Sequence, residues 1–342
     1  MLELLLGRSG TGKTRLIHEE LARLAREKGG KLPLVLLVPE QASFESERTL
    51  LELLGPRLAN TVQVLSFTRL AQTVFRETGG LAGTPMDDGT RALLMSRALE
   101  QTADRLELYR RQAASPAYIQ AVLAVLTECK QCAITPRRLE ETAAGLEDGV
   151  LRKKTAELAL ILEAYESLAA ESAVDPLDSL TLLADKLPES RSLDGAYVFV
   201  DSFKGFTGQE MRVLAALMGK AERMTVALCA DPDRPEEEYG LFSSILRTAN
   251  RLRSLAFERN IPVAKLRRLA GHGIAVLRHL LIGFPVNPLG ICRHHQKPYQ
   301  ASSHQKSHAQ IQKCGRHGTL PEGRRLDNHF IIRQIGHRLS PG

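Results

Sequence analysis

The chain has 342 residues, 43% of them hydrophobic and 25% charged, enough for two domains or one large one with a sizeable core. No run of about 18 apolar residues occurs, which excludes a predicted membrane span, and five cysteines in a chain this long do not make a disulfide scaffold. The net charge of +7 is not spread evenly: residues 271–342 hold 10 Lys+Arg against 2 Asp+Glu, leaving 36 against 37 in the first 270, so the body is neutral and the basic character lies in the tail.

The opening stretch, MLELLLGRSG, has too short an apolar segment for a signal peptide and shows no cleavage pattern, which gives the expectation of a cytoplasmic protein without membrane contact. Leu2 to Leu6 reads as a short buried strand. A helix is predicted from about Lys13 to Lys28, with Leu16, Ile17, Leu21 and Leu24 on one face and Gly29-Gly30 as its stop. Leu34 to Val38 is a continuous apolar strand, as found where a parallel sheet is covered on both faces. A helix from about Ala42 to Leu54 follows, ended by Gly55-Pro56, then a strand at Val62 to Ser66 and a helix over FTRLAQTVFRET. From about Thr90 to Lys186 every segment reads as helix, with Ser115-Pro116 and Thr135-Pro136 as N-caps followed by proline in the first turn. Strand text returns at Ala196 to Asp201, Thr207 and Glu210 form a capping box, Met224 to Ala230 is a further strand, and a helix runs from about Leu241 to Glu258. The order βαβαβα, then helices, then βαβα predicts an α/β protein whose parallel sheet is interrupted by a helical insertion of about 100 residues.

Gly7 to Thr14, GRSGTGKT, fits G-x-x-x-x-G-K-[ST] between a predicted strand and a predicted helix. Gly7, Gly10 and Gly12 let the backbone turn so that the amides of Arg8, Ser9 and Thr11 face phosphate oxygens, Lys13 supplies a charge toward the β and γ phosphates, and Thr14 offers a hydroxyl to Mg²⁺. This loop predicts ATP and Mg²⁺ as cofactors. The metal needs a second carboxylate, and Asp201 at the end of an apolar strand is the candidate, with Asp231 at the end of the other late strand as its rival.

The stretches LLGRSGTGKT, LVPEQASFESERTLL, VLSFTRLAQTVF and VFVDSFKGFTGQEMRVLAALM, in that order, resemble the N-terminal region of the AddB family, which partners AddA in bacterial AddAB helicase–nucleases, over about residues 1 to 263. The resemblance implies a RecA-like P-loop parallel sheet (helicase domain 1A, residues 1–80 and 191–265), an all-helical insertion (domain 1B, residues 81–190), and an atypical tail over 266–342. It places the phosphate-loop motif at Gly7 to Thr14, and motifs along a single-stranded DNA track at Pro39 to Phe44 and Ser66-Phe67-Thr68. Gln41, Ser66, Phe67 and Thr68 are the implied DNA contacts. The magnesium motif falls on Asp201-Ser202-Phe203, where active helicases carry Asp-Glu. A further motif falls on ADPDR, with Arg234 in place of glutamine. A serine cannot take the attacking water's proton, and losing a positioned base costs about 10²–10⁴-fold, so ATP is expected to be held and hydrolysed weakly.

The implied partners are an AddA-type helicase–nuclease subunit and single- and double-stranded DNA, in ATP-dependent processing of broken ends. The family's nuclease domain and iron–sulfur cluster are not expected in this chain, and Cys129 and Cys132 read as ordinary helix residues. Two other functions remain open from the residues alone: a free-standing phosphate-loop ATPase or kinase, and a non-enzymatic module whose nucleotide gates a DNA- or partner-binding surface. Arg69, Arg76 and Arg91 are either phosphate contacts or solvated helix faces. Nine of the ten histidines lie between His272 and His337, so the tail reads either as a disordered basic arm or as a segment shifted in reading frame. Cys292, His294, His295, Cys314 and His317 within it suit zinc by type, but their spacing fits no compact pattern.

Overall fold

The structure, a computed structural model, describes residues 1–269 apart from 29, 81–84, 114, 173 and 232–239. The tail's Cys292, His294, His295, Cys314 and His317, together with Gly29 and Arg234, lie outside the described residues.

Among the described residues six strands form one parallel sheet: β1 (Leu2–Gly7), β2 (Leu34–Leu37), β3 (Val62–Leu65), β4 (Tyr197–Val200), β5 (Arg223–Cys229) and β6 (Arg267–Leu269). Their spatial order is β3-β2-β4-β5-β1-β6. Of the strands that follow the helical stretch, β4 and β5 therefore enter between β2 and β1, although β1 and β2 are consecutive in the chain, and β6 adds on the outer side of β1. Side chains alternate between two buried faces. Leu4, Leu6, Val35, Leu37, Val198, Val200, Val226 and Leu228 face one apolar cluster, and Leu5, Leu34, Leu36, Phe199 and Ala227 face the other. Each large apolar side chain contributes roughly 1.5–3 kcal/mol when fully buried, which is why the strands read as unbroken apolar runs.

The second cluster is covered by α1 (Lys13–Lys28) and α2 (Glu40–Ala59). Helix α1 has the expected bounds and buries Ile17, Leu21 and Leu24, with Leu16 at the margin. In α2 the expected stop at Gly55-Pro56 is a kink: Gly55 leaves helical geometry with φ 71°, and the chain then resumes helix to Ala59. A proline in the first turn after a break lacks only an N–H that would go unused there. The first cluster is covered by α3 (Phe67–Thr78), by α9 (Gly208–Lys220) and by α10 (Ser243–Glu258).

Between β3 and β4, after α3, lie α4 (Asp88–Thr102), α5 (Pro116–Gln131), α6 (Pro136–Ala144), α7 (Gly149–Ser172) and α8 (Ser179–Lys186). The long stretch is helical as expected, and its one β feature among the described residues is an isolated bridge between Pro85 and Val174. Thr135 caps α6 by accepting the Arg138 N–H at 3.3 Å, whereas Ser115 occupies the N-cap of α5 without a side-chain bond. Two structural anchors hold this block. The Glu157 carboxylate accepts the backbone N–H groups of Glu107, Leu108 and Tyr109 at 2.9–3.2 Å. Lys130, 6% exposed, donates to Asp175 at 2.9 Å and Asp178 at 2.6 Å, and the Tyr165 hydroxyl donates to Asp175. Burial pushes Asp175 upward, but the Leu177 N–H and Lys130 outweigh it and hold its pKa below the usual carboxylate value. No helix among the described residues is long and apolar enough to cross a membrane.

The strand β6 is absent from the sequence reading. It pairs with β1 through Leu5 to Gly7 and is tied down by Arg267, which reaches Glu3 at 3.2 Å and Glu20 at 3.3 Å.

Candidate nucleotide-binding site

Strand β1 ends at Gly7 and α1 begins at Lys13, so the connection between them lies at the carboxyl edge of the sheet. Gly10 (φ 78°) and Gly12 (φ 86°) take left-handed backbone that a side chain would strain. Gly7 has a different reason to be glycine. A Cβ there would stand 2.5 Å from Thr11 Oγ1 and 3.1 Å from the Leu269 carbonyl of β6. The loop is closed on itself by the Thr11 hydroxyl, which donates to the Arg8 carbonyl at 2.9 Å. The Lys13 ammonium donates to the carbonyls of Gly7 and Arg8, both at 2.8 Å. It therefore sits across the mouth of the loop, where a phosphate would meet it. Ser9 and Thr14 are exposed, Thr14 at the first turn of the helix. The N-terminus of α1 adds its partial positive charge on the same side.

Asp201 immediately follows β4 and is 4% exposed. Its N–H bonds to the Leu37 carbonyl at 3.0 Å, which fixes it at the edge beside β2. Among the described residues no ion-pair partner faces its carboxylate. His18, on α1 one turn beyond Thr14, is buried nearby: burial pushes the imidazole below its usual pKa while Asp201 pulls the other way. Asp231, the rival carboxylate, follows β5, is 3% exposed and forms an ion pair with Arg8 of the loop. Buried oxygen donors without a cation suit a hard metal ion such as Mg²⁺, and Asp201 fits that description where Asp231 does not.

Ser202 holds φ at 67°, a left-handed conformation in a residue other than glycine. Just beyond that turn, Phe203 packs against Phe67 of α3, edge to face with centroids 5.5 Å apart, and against Phe206 at 5.1 Å. Ser66 is buried and caps α3 through the Arg69 N–H at 3.2 Å. Phe67 is 7% exposed, while Thr68 and Gln41 are exposed. The Val38 N–H bonds to the Leu65 carbonyl at 2.9 Å, which sets the start of α2 beside Ser66. The structure thus collects Ser66, Phe67 and the Asp201 loop on one edge, a juxtaposition the linear motifs do not reveal. Arg69, Arg76 and Arg91 have three different settings. Arg69 pairs with Glu47 at 2.6 Å, Arg76 is exposed on α3, and Arg91 is only 15% exposed and turned toward Asp175, so it is not a solvated helix face. Cys129 is buried in α5 with its thiol pushed up to about 12 by burial, and Cys132 caps the helix, so neither is a poised nucleophile.

The sequence matches the family described as "ADDB, N-terminal" over residues 4–278. It is 40% identical over 277 residues to the B subunit of the ATP-dependent helicase/deoxyribonuclease of Desulforudis audaxviator, covering 79% of this chain and 24% of that protein. Proteins of the same name from Moorella thermoacetica (38% over 278 residues) and Clostridium acetobutylicum (33% over 270 residues) match 79% of this chain, and 24% and 23% of their own lengths. The chain therefore spans about a quarter of the length of these curated relatives.

Proposed function

Because the chain belongs to the AddB family through its N-terminal region, we propose that it is the ATP-holding part of an AddB subunit, acting in a helicase–nuclease that prepares broken DNA ends for recombinational repair. In this reading residues 1–80 and 191–265 form one nucleotide domain of the 1A type and 81–190 an inserted helical domain of the 1B type. The observation that carries it is the complete phosphate loop, with Lys13 across its mouth and the buried Asp201 two strands away. Lys13, the amides from Arg8 to Thr14 and the α1 N-terminus would hold the phosphates, and Thr14 with Asp201 would hold the magnesium. Bound Mg²⁺ would neutralise phosphate charge and orient the terminal phosphate.

The residue after Asp201 cannot act as a base. Ser202 has no carboxylate and is turned by its left-handed backbone, so turnover by this chain is expected to be weak. The edge formed by Gln41, Ser66, Phe67 and Thr68 is proposed to meet single-stranded DNA, with Phe203 bracing Phe67. Nucleotide at Asp201 and DNA at Phe67 would then share one loop. The partner in this reading is an AddA-type subunit that supplies the motor.

The test measures Mg·ATP binding and ATP turnover on the full chain, with and without single-stranded DNA. Binding that is lost in Lys13→Ala, with negligible turnover in the unmodified chain, supports the proposal. Brisk DNA-stimulated turnover would mean that the base lies elsewhere and that the chain is itself a motor.

A further inference from the structure

The buried face of α1 is built from Ile17, Leu21, Leu24 and two alanines, with a single polar exception among the described residues, His18. Its ring is 5% exposed. Two periodicities say where it lies. Along α1, His18 stands four residues after Thr14 and so on the same face, and helical side chains lean toward the N-terminus, which carries the ring back toward the phosphate loop. Along β4, Phe199 faces the apolar cluster that α1 covers and Val200 faces the other, so Asp201 returns to the side of α1. The Asp201 N–H still bonds to the Leu37 carbonyl, so the alternation holds as far as that residue. A buried imidazole and a buried carboxylate thus meet at the carboxyl edge of the sheet, close enough for the Asp201 charge to be felt at the ring. Among the described residues no hydrogen bond joins the two, and no other group bonds to the His18 ring or pairs with the Asp201 carboxylate. Buried polar groups are normally satisfied, so two that are left over beside Thr14 point to a ligand that satisfies them.

We infer that His18 positions the nucleotide's metal: its imidazole accepts a hydrogen bond from a water on the Mg²⁺ that Thr14 and Asp201 would hold. This rests on the phosphate-loop reading above. Mg²⁺ gives up water reluctantly and keeps several waters when it binds a nucleotide, so a protein meets it largely through them. A water on a cation is a strengthened donor and needs an acceptor. Burial holds the imidazole below its usual pKa, so at neutral pH one ring nitrogen is a bare acceptor. Mg²⁺ favours oxygen over imidazole nitrogen, so the ring reaches the ion through water and not by a direct bond. His18 is a positioning residue in this scheme, since it touches neither the metal nor the nucleotide.

The experiment measures binding of a non-hydrolysable ATP analogue to the full chain by calorimetry, once with Mg²⁺ and once with the metal chelated. His18→Leu is expected to weaken binding with Mg²⁺ about tenfold and binding without metal by less than about twofold, the scale of an outer hydrogen bond to a metal site. His18→Asn and His18→Gln set an amide oxygen at two different depths, and one of them should recover part of the loss. With Mn²⁺ in place of Mg²⁺, electron-spin-echo spectra of the nucleotide complex should show a weak nitrogen coupling that His18→Leu removes. Equal weakening with and without metal, or none, overturns the inference while leaving the phosphate loop intact. So does a coupling as strong as a direct metal–nitrogen bond, which would make His18 a ligand. An unmodified chain that binds the analogue equally well without metal overturns the assignment of Thr14 and Asp201 as well, and one that does not bind it at all overturns the phosphate-loop reading. If His18→Leu does not fold, the amide variants decide: a difference between them that appears only with Mg²⁺ supports the inference, and its absence overturns it.

Discussion

Glu77 shows how much a single side chain can be asked to hold. Its carboxylate closes the C-terminal end of α3 onto the segment before β4, accepting from the hydroxyls of Ser190 and Ser192, both at 2.7 Å, and from the Arg191 N–H at 2.6 Å. The hydroxyl and amide bonds hold its pKa down to about 2. A carboxyl depressed in the folded state adds stability that is present above its unfolded value of 4.5 and is lost as the pH falls toward 2. Thermal melts between pH 5 and pH 3 should therefore fall more steeply for the unmodified chain than for Glu77→Gln. Equal slopes would mean that the staple does not form. Gly7 makes a second residue-scale prediction. Gly7→Val should abolish nucleotide binding while Gly7→Ala weakens it, as read by calorimetry with Mg·ATP, because the added carbons meet the Leu269 backbone at 3.1 Å and must open the loop. The sequence motif names Gly7 for its flexibility, yet the structure assigns that need to Gly10 and Gly12, and assigns Gly7 to close packing.

Helix α9 is the element on which the Asp201 loop and the helical block meet. Its capping box is complete: the Thr207 hydroxyl takes the Glu210 N–H at 3.2 Å and Glu210 takes the Thr207 N–H at 2.7 Å. This pair is readable from Thr-x-x-Glu because a cap is a contact over three residues. What the cap is for is not readable there. Gly208 packs its backbone on the Cys132 carbonyl at the end of α5, where a Cβ would collide, and Gln209 donates to the Leu177 carbonyl at 2.8 Å and the Thr181 hydroxyl at 3.0 Å. The first turn after the Asp201 loop is thus wedged into the helical block. Gly208→Ala is expected to destabilise the chain by about 1–3 kcal/mol, read as a shift of the urea midpoint at unchanged slope. Thr207→Ala should cost about 1 kcal/mol through the cap alone. A Gly208→Ala effect no larger than a cap would show that the contact with α5 yields easily.

At the scale of the whole molecule, the helical block is organised around a buried charge. Lys130 pairs with the buried Asp175, which Arg91 also approaches at 3.8 Å, and with the half-exposed Asp178, in a largely apolar interior. Lys130→Met should cost about 2–3 kcal/mol, because it leaves the Asp175 carboxylate, at 1% exposure, with Arg91 at 3.8 Å in place of a direct charged hydrogen bond, and Lys130→Met with Asp175→Leu should recover much of it. Chemical denaturation of the three proteins would decide this. A single variant as stable as the parent would mean that Asp175 is held by Arg91, the Leu177 N–H and the Tyr165 hydroxyl without the lysine. By itself the sequence determined the nature of the elements, the phosphate loop and the interruption of the sheet by helices. Those signals are local: apolar runs, a 3.6-residue period, caps and glycines act over a few residues. It did not determine that β4 and β5 enter between β2 and β1, that β6 closes the edge beside the loop, or that Arg8 meets Asp231 across 223 residues of chain. Pairing of that kind depends on which buried faces and buried charges remain to be matched once the elements pack, and no local pattern records it.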